Sequence, residues 1–177
     1  MITTSTFGLN NKLYRIFWHF CYFMLFRYSP VYFFKWRVLV LKFFGADISW
    51  KSRVYPTCKI WSPKNLRIEE FATIGPWVNV YNQGKITIHR FSTISQNASL
   101  CASSHRYQHK SHELILCPIT IESNVWVCAE AFVGPNVHIA EGVVLGARAV
   151  AKENLESWSV YDGNPCLKVK SRILKNE

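Results

Sequence analysis

From residue 48 onward, aliphatic residues recur at a spacing of six, in runs separated by two short insertions and one long one. Ile, Val or Leu fills fourteen of fifteen in-phase positions, although these residue types make up only about a quarter of the chain. Neither an amphipathic helix nor a hairpin meander has a period of six, so the pattern indicates a hexapeptide repeat. The positions are Ile48, Val54, Ile60, Ile68, Ile74, Val80, Ile88, Ile94, Leu100, Ile121, Val127, Val133, Ile139, Leu145 and Ala151.

A second register supports the repeat, because a small or β-branched residue usually follows four positions after each aliphatic, with Lys64 as the poor fit. This pattern predicts short parallel strands coiled around a prism, with the coils stacked ~4.8 Å apart. The first three triplets are offset by twenty residues rather than eighteen, so we expect three hexapeptides in one coil and about five coils in all. The second register comprises Ala72, Val78, Ser92, Ala98, Val125, Ala131, Val137, Val143 and Ala149.

The first 45 residues differ from the repeat, since they hold most of the aromatic residues with basic residues placed between them. Two helices separated at Ser29 and Pro30 are predicted, because a residue before proline disfavours the helical conformation. The uncharged runs are too short to span a bilayer, and no signal-peptide cleavage site follows them. This segment either lies in a membrane interface or packs against a neighbouring domain or subunit.

Composition and charge narrow the class of protein. The chain has 177 residues, about half of them apolar, so its core is large enough to need no disulfide. Six cysteines without paired CxxC spacing favour a reduced, cytosolic protein, with Cys58 and Cys128 filling positions in the repeat. The net charge of +10 indicates anionic partners, either cofactor phosphates or lipid headgroups. Nucleic acid fits less well, because the basic residues form no aromatic-studded groove.

The long insertion, CASSHRYQHKSHELILCPI at residues 101–119, carries about fifteen residues beyond the repeat and is predicted to leave the prism as an external loop at about 102–118. Its histidines, His105, His109 and His112, can accept a proton from a hydroxyl near neutral pH. A zinc site built from them is the weaker hypothesis, because no helix aligns them. Solvent-exposed histidines without a function are the plain alternative.

Three stretches of the chain resemble the hexapeptide-repeat acetyltransferases: ITIHRFSTISQNASLCASSH, then CPITIESNVWVCAEAFVGPNVHIAEGVVLGARAVAKENL, then GNPCLKVK. The similarity covers about residues 13 to 175, and the stretches RYSP, KWRVLVLKFFGADI, WVNVYNQG and LCASSHRY bring it nearest to the colanic-acid-biosynthesis-type O-acetyltransferases. The resemblance implies an all-β fold, a left-handed parallel β-helix with a helical N-terminal extension. Its left hand follows from the resemblance alone, since crossover physics favours the right hand.

By this resemblance the chain is an acetyl-CoA-dependent O-acetyltransferase that acts on a sugar hydroxyl in surface polysaccharide biosynthesis, without a metal. His105 matches the family's catalytic histidine, whose role is that of general base toward the acceptor hydroxyl. Such a base needs a partner for Nδ1, and the sequence leaves both Glu113 and a backbone carbonyl open. The alternative is a non-catalytic or zinc-dependent, carbonic-anhydrase-like β-helix protein.

The resemblance also implies a set of binding residues. Asn82 matches an asparagine that borders the acceptor pocket, although asparagine at a glycine-containing corner is also an ordinary turn residue. Lys152 falls where the family more often has threonine, which makes Lys168 and Lys170 the better candidates for the cofactor's 3′-phosphate. The implied cofactor-binding residues are Trp126, Ala129, Ala147, Lys152, Lys168 and Lys170.

The expected organisation has three parts: an N-terminal extension at 1–45, the β-helix at 46–156 and a cofactor-proximal segment at 157–177. The resemblance further implies a homotrimer with its sites in the grooves between subunits. A cytoplasmic location is expected, with peripheral contact at the inner face of the membrane as an open alternative for the N-terminus. The acceptor, a sugar or a lipid-linked or nucleotide-linked saccharide, is not identified by the sequence.

Overall fold

The computed structural model describes residues 3–4 and 7–174 of the chain. From residue 47 onward, short parallel strands wind into a three-sided prism, and each coil hydrogen-bonds to the coils on either side of it. All fifteen in-phase side chains of the repeat are buried in the interior. The predicted all-β parallel β-helix is confirmed, with five coils and the beginning of a sixth.

The prism has three faces, which the chain visits in the order first, second, third. The first face contains Asp47–Ile48, Leu66–Ile68, Ile86–Ile88, Ile119–Ile121 and His138–Ile139. The second contains Arg53–Val54, Thr73–Ile74, Thr93–Ile94, Trp126–Val127, Val144–Leu145 and Ser159–Asp162, followed by the antiparallel strand Leu167–Ser171. The third contains Lys59–Ile60, Asn79–Tyr81, Ser99–Cys101, Phe132–Val133 and Val150–Ala151.

The corners between faces repeat one backbone conformation. At eight of them a residue other than glycine takes the left-handed conformation, with φ between 58° and 62°. Because equivalent corners stack, the rings of Phe71 and Phe91 lie parallel, with their centroids 5.2 Å apart, in adjacent coils. The irregular Lys64 belongs to a short 3-10 helix, Pro63–Asn65, which takes up the extra residues of its corner. The eight residues are Phe71, Trp77, Phe91, Asn97, Asn124, Glu130, Asn136 and Arg148.

The N-terminal extension forms two helices that close the open end of the first coil. Helix α1 spans Leu9–Cys21 and continues as a π-helical segment, Tyr22–Arg27, and helix α2 spans Phe34–Phe43. The buried aromatic and aliphatic side chains of the extension belong to the same hydrophobic core as the interior of the prism. Within the described part of the chain, no helix is long and apolar enough to cross a membrane.

Two buried side chains bond the helices to the coil. The indole Nε1 of Trp18 donates to the carbonyl of Ile60 at 2.8 Å, and Arg37 Nε donates to the carbonyl of Val54 at 2.6 Å. The first coil has no coil below it, so these carbonyls would otherwise be buried without a hydrogen bond. Arg37 also bonds Ser29 Oγ and the carbonyls of Pro30 and Val31, which fixes the turn between the helices. Burial lowers the pKa of Arg37 to about 10, which leaves the guanidinium charged near neutrality.

We predict that Arg37→Met lowers the free energy of unfolding by about 2–4 kcal/mol, because the variant leaves several buried carbonyls without a donor. Urea denaturation followed by circular dichroism measures the change. Arg53→Met is the matched control, since Arg53 is exposed on the same coil, and it should change stability by less than about 0.5 kcal/mol. Equal effects of the two substitutions would contradict the capping role of Arg37.

Candidate active site

The long insertion forms a β-hairpin at the edge between the third and first faces. Ser103–His105 pairs antiparallel with Leu114–Leu116, and Thr3–Thr4 adds a third strand on the outer side. The irregular part is therefore shorter than the loop that the sequence suggested, and it is confined to residues 106–113. The aliphatic run Leu114–Leu116 was the sequence signal for a strand here.

His105 lies at the end of the first hairpin strand, with its side chain exposed to solvent. Its Nδ1 is 2.7 Å from the carbonyl oxygen of His112 across the hairpin. A carbonyl only accepts, so in this contact Nδ1 carries the proton and donates, which leaves Nε2 of the neutral ring free to accept one. Of the two partners left open by the sequence, the backbone carbonyl is the one in contact, while the Glu113 carboxylate lies 4.0 Å from Arg106.

His112 owes its position to the backbone conformation of the hairpin. Its φ is 44°, in the left-handed region, and its N–H donates to the carbonyl of His109 at 3.0 Å. The hairpin is further tied by the Arg106 N–H, which donates to the Glu113 carbonyl at 2.9 Å. The imidazole of His105 is thus oriented by main-chain groups, which few substitutions in the loop can remove directly.

A cavity of about 470 Å³ lies beside His105. The hairpin forms one wall through Ser104, Tyr107 and Ile115, and Pro135 and Asn136, the equivalent corner of the next coil, form the other. An open groove of this kind can place a ligand hydroxyl against a proton acceptor. Pro135 and Asn136 were missed in the sequence, where they look like an ordinary corner.

The structure corrects the assignment of Asn82 as an acceptor-binding residue. Its side chain is fully buried, and both of its polar groups are bonded to the main chain of Ser62. Oδ1 accepts from the Ser62 N–H at 3.1 Å, and Nδ2 donates to the Ser62 carbonyl at 2.6 Å. Because its side chain is inaccessible to a ligand and both polar groups are bonded to Ser62, Asn82 joins two stacked coils and does not line a pocket.

The candidate residues for binding the acyl donor lie elsewhere on the prism. Trp126 is on the second face, 48% exposed, and its Nε1 donates to Ser95 Oγ at 2.9 Å, a partner that the sequence did not suggest. Ala129 and Ala147 stack at the edge between the second and third faces, where the Arg148 N–H donates to the Ala129 carbonyl at 2.9 Å. A flat indole next to small corner residues leaves room for an extended ligand.

The three candidate lysines are all exposed. Lys152 follows the last strand of the third face, on the same edge as the hairpin and two coils beyond it. Lys168 and Lys170 lie on the strand Leu167–Ser171 that extends the second face. The Lys168 Nζ bonds Glu156 at 2.9 Å, and this hydrogen bond raises the pKa of Lys168. Such an exposed ion pair is weak enough for a phosphate group to displace.

Within one chain, these residues do not converge. His105 is on the edge between the third and first faces, whereas Trp126, Lys168 and Lys170 belong to the second face. In a three-sided prism, that edge and that face lie on opposite sides. No metal cluster of three or more His, Cys, Asp or Glu side chains occurs in residues 3–4 and 7–174.

Comparison with known proteins decides the family. No protein-family model matches the sequence. WcaF of Escherichia coli (strain K12), named as a colanic acid biosynthesis acetyltransferase, is 35% identical over 149 residues, which cover 84% of this chain and 82% of WcaF. The chain belongs to the hexapeptide-repeat acetyltransferases. It is therefore an acyltransferase.

Solved structures of hexapeptide-repeat acetyltransferases share the fold. A maltose O-acetyltransferase from Clostridium difficile 630 superimposes with a TM-score of 0.83 at 20% identity, covering 97% of this chain and 94% of that one. A hexapeptide-repeat acetyltransferase from Vibrio cholerae, complexed with acetyl coenzyme A, superimposes with a TM-score of 0.81 at 21% identity, covering 93% and 90%. At this identity the likeness establishes the architecture, including the helical extension, and no residue roles.

Proposed function

We propose that this acetyltransferase moves an acetyl group from acetyl-CoA to a sugar hydroxyl in surface polysaccharide biosynthesis, with His105 as general base. The observation that carries the proposal is the orientation of His105. Its Nδ1 is held at 2.7 Å by the carbonyl of His112, and its Nε2 is free at the groove. A histidine with one nitrogen fixed and the other open is suited to proton transfer near neutral pH.

The reaction proceeds by attack of the sugar oxygen on the thioester carbonyl carbon. Nε2 of His105 takes the hydroxyl proton as the new C–O bond forms, and the His112 carbonyl stabilises the resulting imidazolium through Nδ1–H. The C–S bond then breaks, and the imidazolium returns the proton to the departing thiolate. His105 ends neutral, and the products are an acetyl ester and free coenzyme A.

We assign the acyl donor to the surface formed by Trp126 and the neighbouring corner residues Ala129 and Ala147, which we call the Trp126 groove. The indole offers an apolar wall to the pantetheine arm, and the small Ala129 and Ala147 leave its path open. Lys168 and Lys170 supply positive charge at the end of the same face, where they can meet the 3′-phosphate. Lys152 lies on the same edge of the prism as His105, so it would reach the cofactor from the side opposite to Lys168 and Lys170.

Since these two half-sites are on opposite sides of one prism, the complete site needs a second copy. We infer a homotrimer in which the His105 edge of one protomer faces the Trp126 groove of its neighbour. The groove next to His105 then becomes the acceptor pocket, covered by the neighbouring protomer. Around a threefold axis, this contact repeats three times and closes.

The proposed acceptor class rests on the relatives, since WcaF is named for colanic acid biosynthesis and a structural neighbour for maltose. A nucleotide-linked or lipid-linked saccharide is the form in which such sugars are assembled. The proposed location is the cytoplasm, where acetyl-CoA is available. All six cysteines are free, which suits a reducing compartment.

We expect His105→Ala to lower turnover by roughly 10²–10⁴, the usual contribution of a positioned general base. Folding should be preserved, because the side chain is exposed outside the prism, and acetyl-CoA affinity should stay near wild type. Acceptor-dependent release of the coenzyme A thiol measures turnover. His109→Ala is the matched control from the same hairpin and should lose much less; wild-type turnover in His105→Ala would refute the assignment.

The shared site is tested by mixing two inactive variants, His105→Ala and Ala147→Phe. The first lacks the base, and the second blocks the donor groove with a bulky ring. If each site draws its base and its groove from different protomers, every trimer that contains both variants has one intact site of three, so about a third of the wild-type activity is restored. Differently tagged chains, co-expressed and purified through both tags, provide the mixed trimers for the same thiol-release assay.

Co-expression of His105→Ala with the double variant His105→Ala/Ala147→Phe is the control. It contains no intact base and should stay inactive in every arrangement. Absence of recovery in the first mixture, with trimers present by light scattering, would place the whole site within one protomer and overturn the proposal.

A further inference from the structure

The N-terminal helices present a large apolar surface that no part of residues 7–174 covers. Among the described residues, 15 of the 26 large exposed apolar side chains lie between residues 9 and 43. We call this set the helical apolar face. Its members are Leu9, Leu13, Ile16, Phe17, Phe20, Phe23, Met24, Leu25, Tyr28, Val31, Tyr32, Phe33, Trp36, Leu39 and Phe43. A contiguous patch of this size is rare on a protein that contacts only water.

Helix α1 is apolar on two opposite sides. Trp18 and Cys21 are buried against the prism, while Leu9, Leu13, Ile16, Phe17 and Phe20 follow a spacing of three and four residues. That spacing aligns the five side chains in one stripe on the solvent side, away from Trp18. Helix α1 therefore packs against the coil through its opposite side and does not need this stripe to do so.

The second helix continues the same surface. Trp36, Leu39 and Phe43 are exposed along α2, and Trp36 Nε1 donates to the carbonyl of Leu25 at 2.8 Å. At the other end of α2, Phe44 packs against both Phe17 and Phe43, with ring centroids 5.3 and 5.4 Å away. Helix α2 is thus linked to the π-helical segment through Leu25 and to α1 through Phe17, which brings the exposed apolar side chains of the extension next to one another.

The charge of this region has one sign. Residues 7–46 contain no Asp or Glu, and the basic residues Lys12, Arg15, His19, Lys35 and Lys42 lie among the apolar ones. Aromatic and aliphatic side chains bordered by cations match the boundary between acyl chains and anionic headgroups. A second copy of the chain in a face-to-face twofold contact fits poorly, because that contact would set these cations against each other without an acid between them.

We propose that the helical apolar face binds the surface of a membrane containing anionic phospholipid. The aromatic rings enter the headgroup region, and the lysines pair with lipid phosphates. Neither helix crosses the bilayer, so the attachment is peripheral. The inference does not depend on the chemistry proposed for His105, since the face contains none of the residues assigned to catalysis or to acetyl-CoA.

Vesicle sedimentation with the full chain tests this proposal. The protein should sediment with vesicles of phosphatidylcholine and phosphatidylglycerol, and added salt should weaken its binding. Phe20→Ser/Phe43→Ser should lower the partition coefficient by about tenfold or more, because two exposed rings no longer enter the interface. Lys12→Glu/Lys35→Glu should lower it for the anionic vesicles.

The matched controls are Ile173→Ser, whose side chain is 83% exposed outside the face, and Lys85→Glu on the prism, and both should bind vesicles like wild type. Wild-type protein that stays in the supernatant, or that binds pure phosphatidylcholine equally well, would overturn the proposal. So would a Phe20→Ser/Phe43→Ser variant with unchanged vesicle binding but a smaller assembly in light scattering, since the face would then be a protein interface.

Discussion

The structure depends on the hydrogen bonding between stacked coils. The strands of the prism pair with strands 16 or more residues away in the neighbouring coils, so the chain can leave the coil only at a corner. Leu100 keeps this pairing on both sides, with Val80 below and Val133 above. The insertion that follows it therefore protrudes without breaking the stack. A rigid coil with one outgrowth is a scaffold that holds a side chain in a fixed place.

The same constraint explains the two unusual regions outside the repeat. A stack of coils has two ends at which backbone groups lack partners, and the aromatic extension covers one of them through Trp18 and Arg37. At the hairpin, Gly84 is required because a Cβ there would lie 2.5 Å from the carbonyl oxygen of Ala102. The close approach of these two corners brings the base of the hairpin onto the prism.

Much of the fold could be predicted because the repeat is local and periodic. The spacing alone predicts the inward positions, the number of coils and the place of the insertion. Lys64, which fits the repeat poorly, lies in the short 3-10 helix at an irregular corner. The orientation of His105 could not be predicted, since it depends on a carbonyl set by the left-handed conformation of His112. Asn82 was misassigned because its partner Ser62 lies twenty residues earlier, where only the stacking brings the two together. The sequence could not predict which side of helix α1 is buried, because two of its sides are apolar.

The central claim is that the break in the repeat exists to hold His105. Replacing residues 101–120 with Gly134–His138, which make the same corner one coil later, removes the hairpin and keeps the coil pairing. The account predicts a folded protein that binds acetyl-CoA and has lost acetyl transfer by at least the roughly 10²–10⁴ expected for a general base. Transfer within a few-fold of wild type in this variant would contradict it.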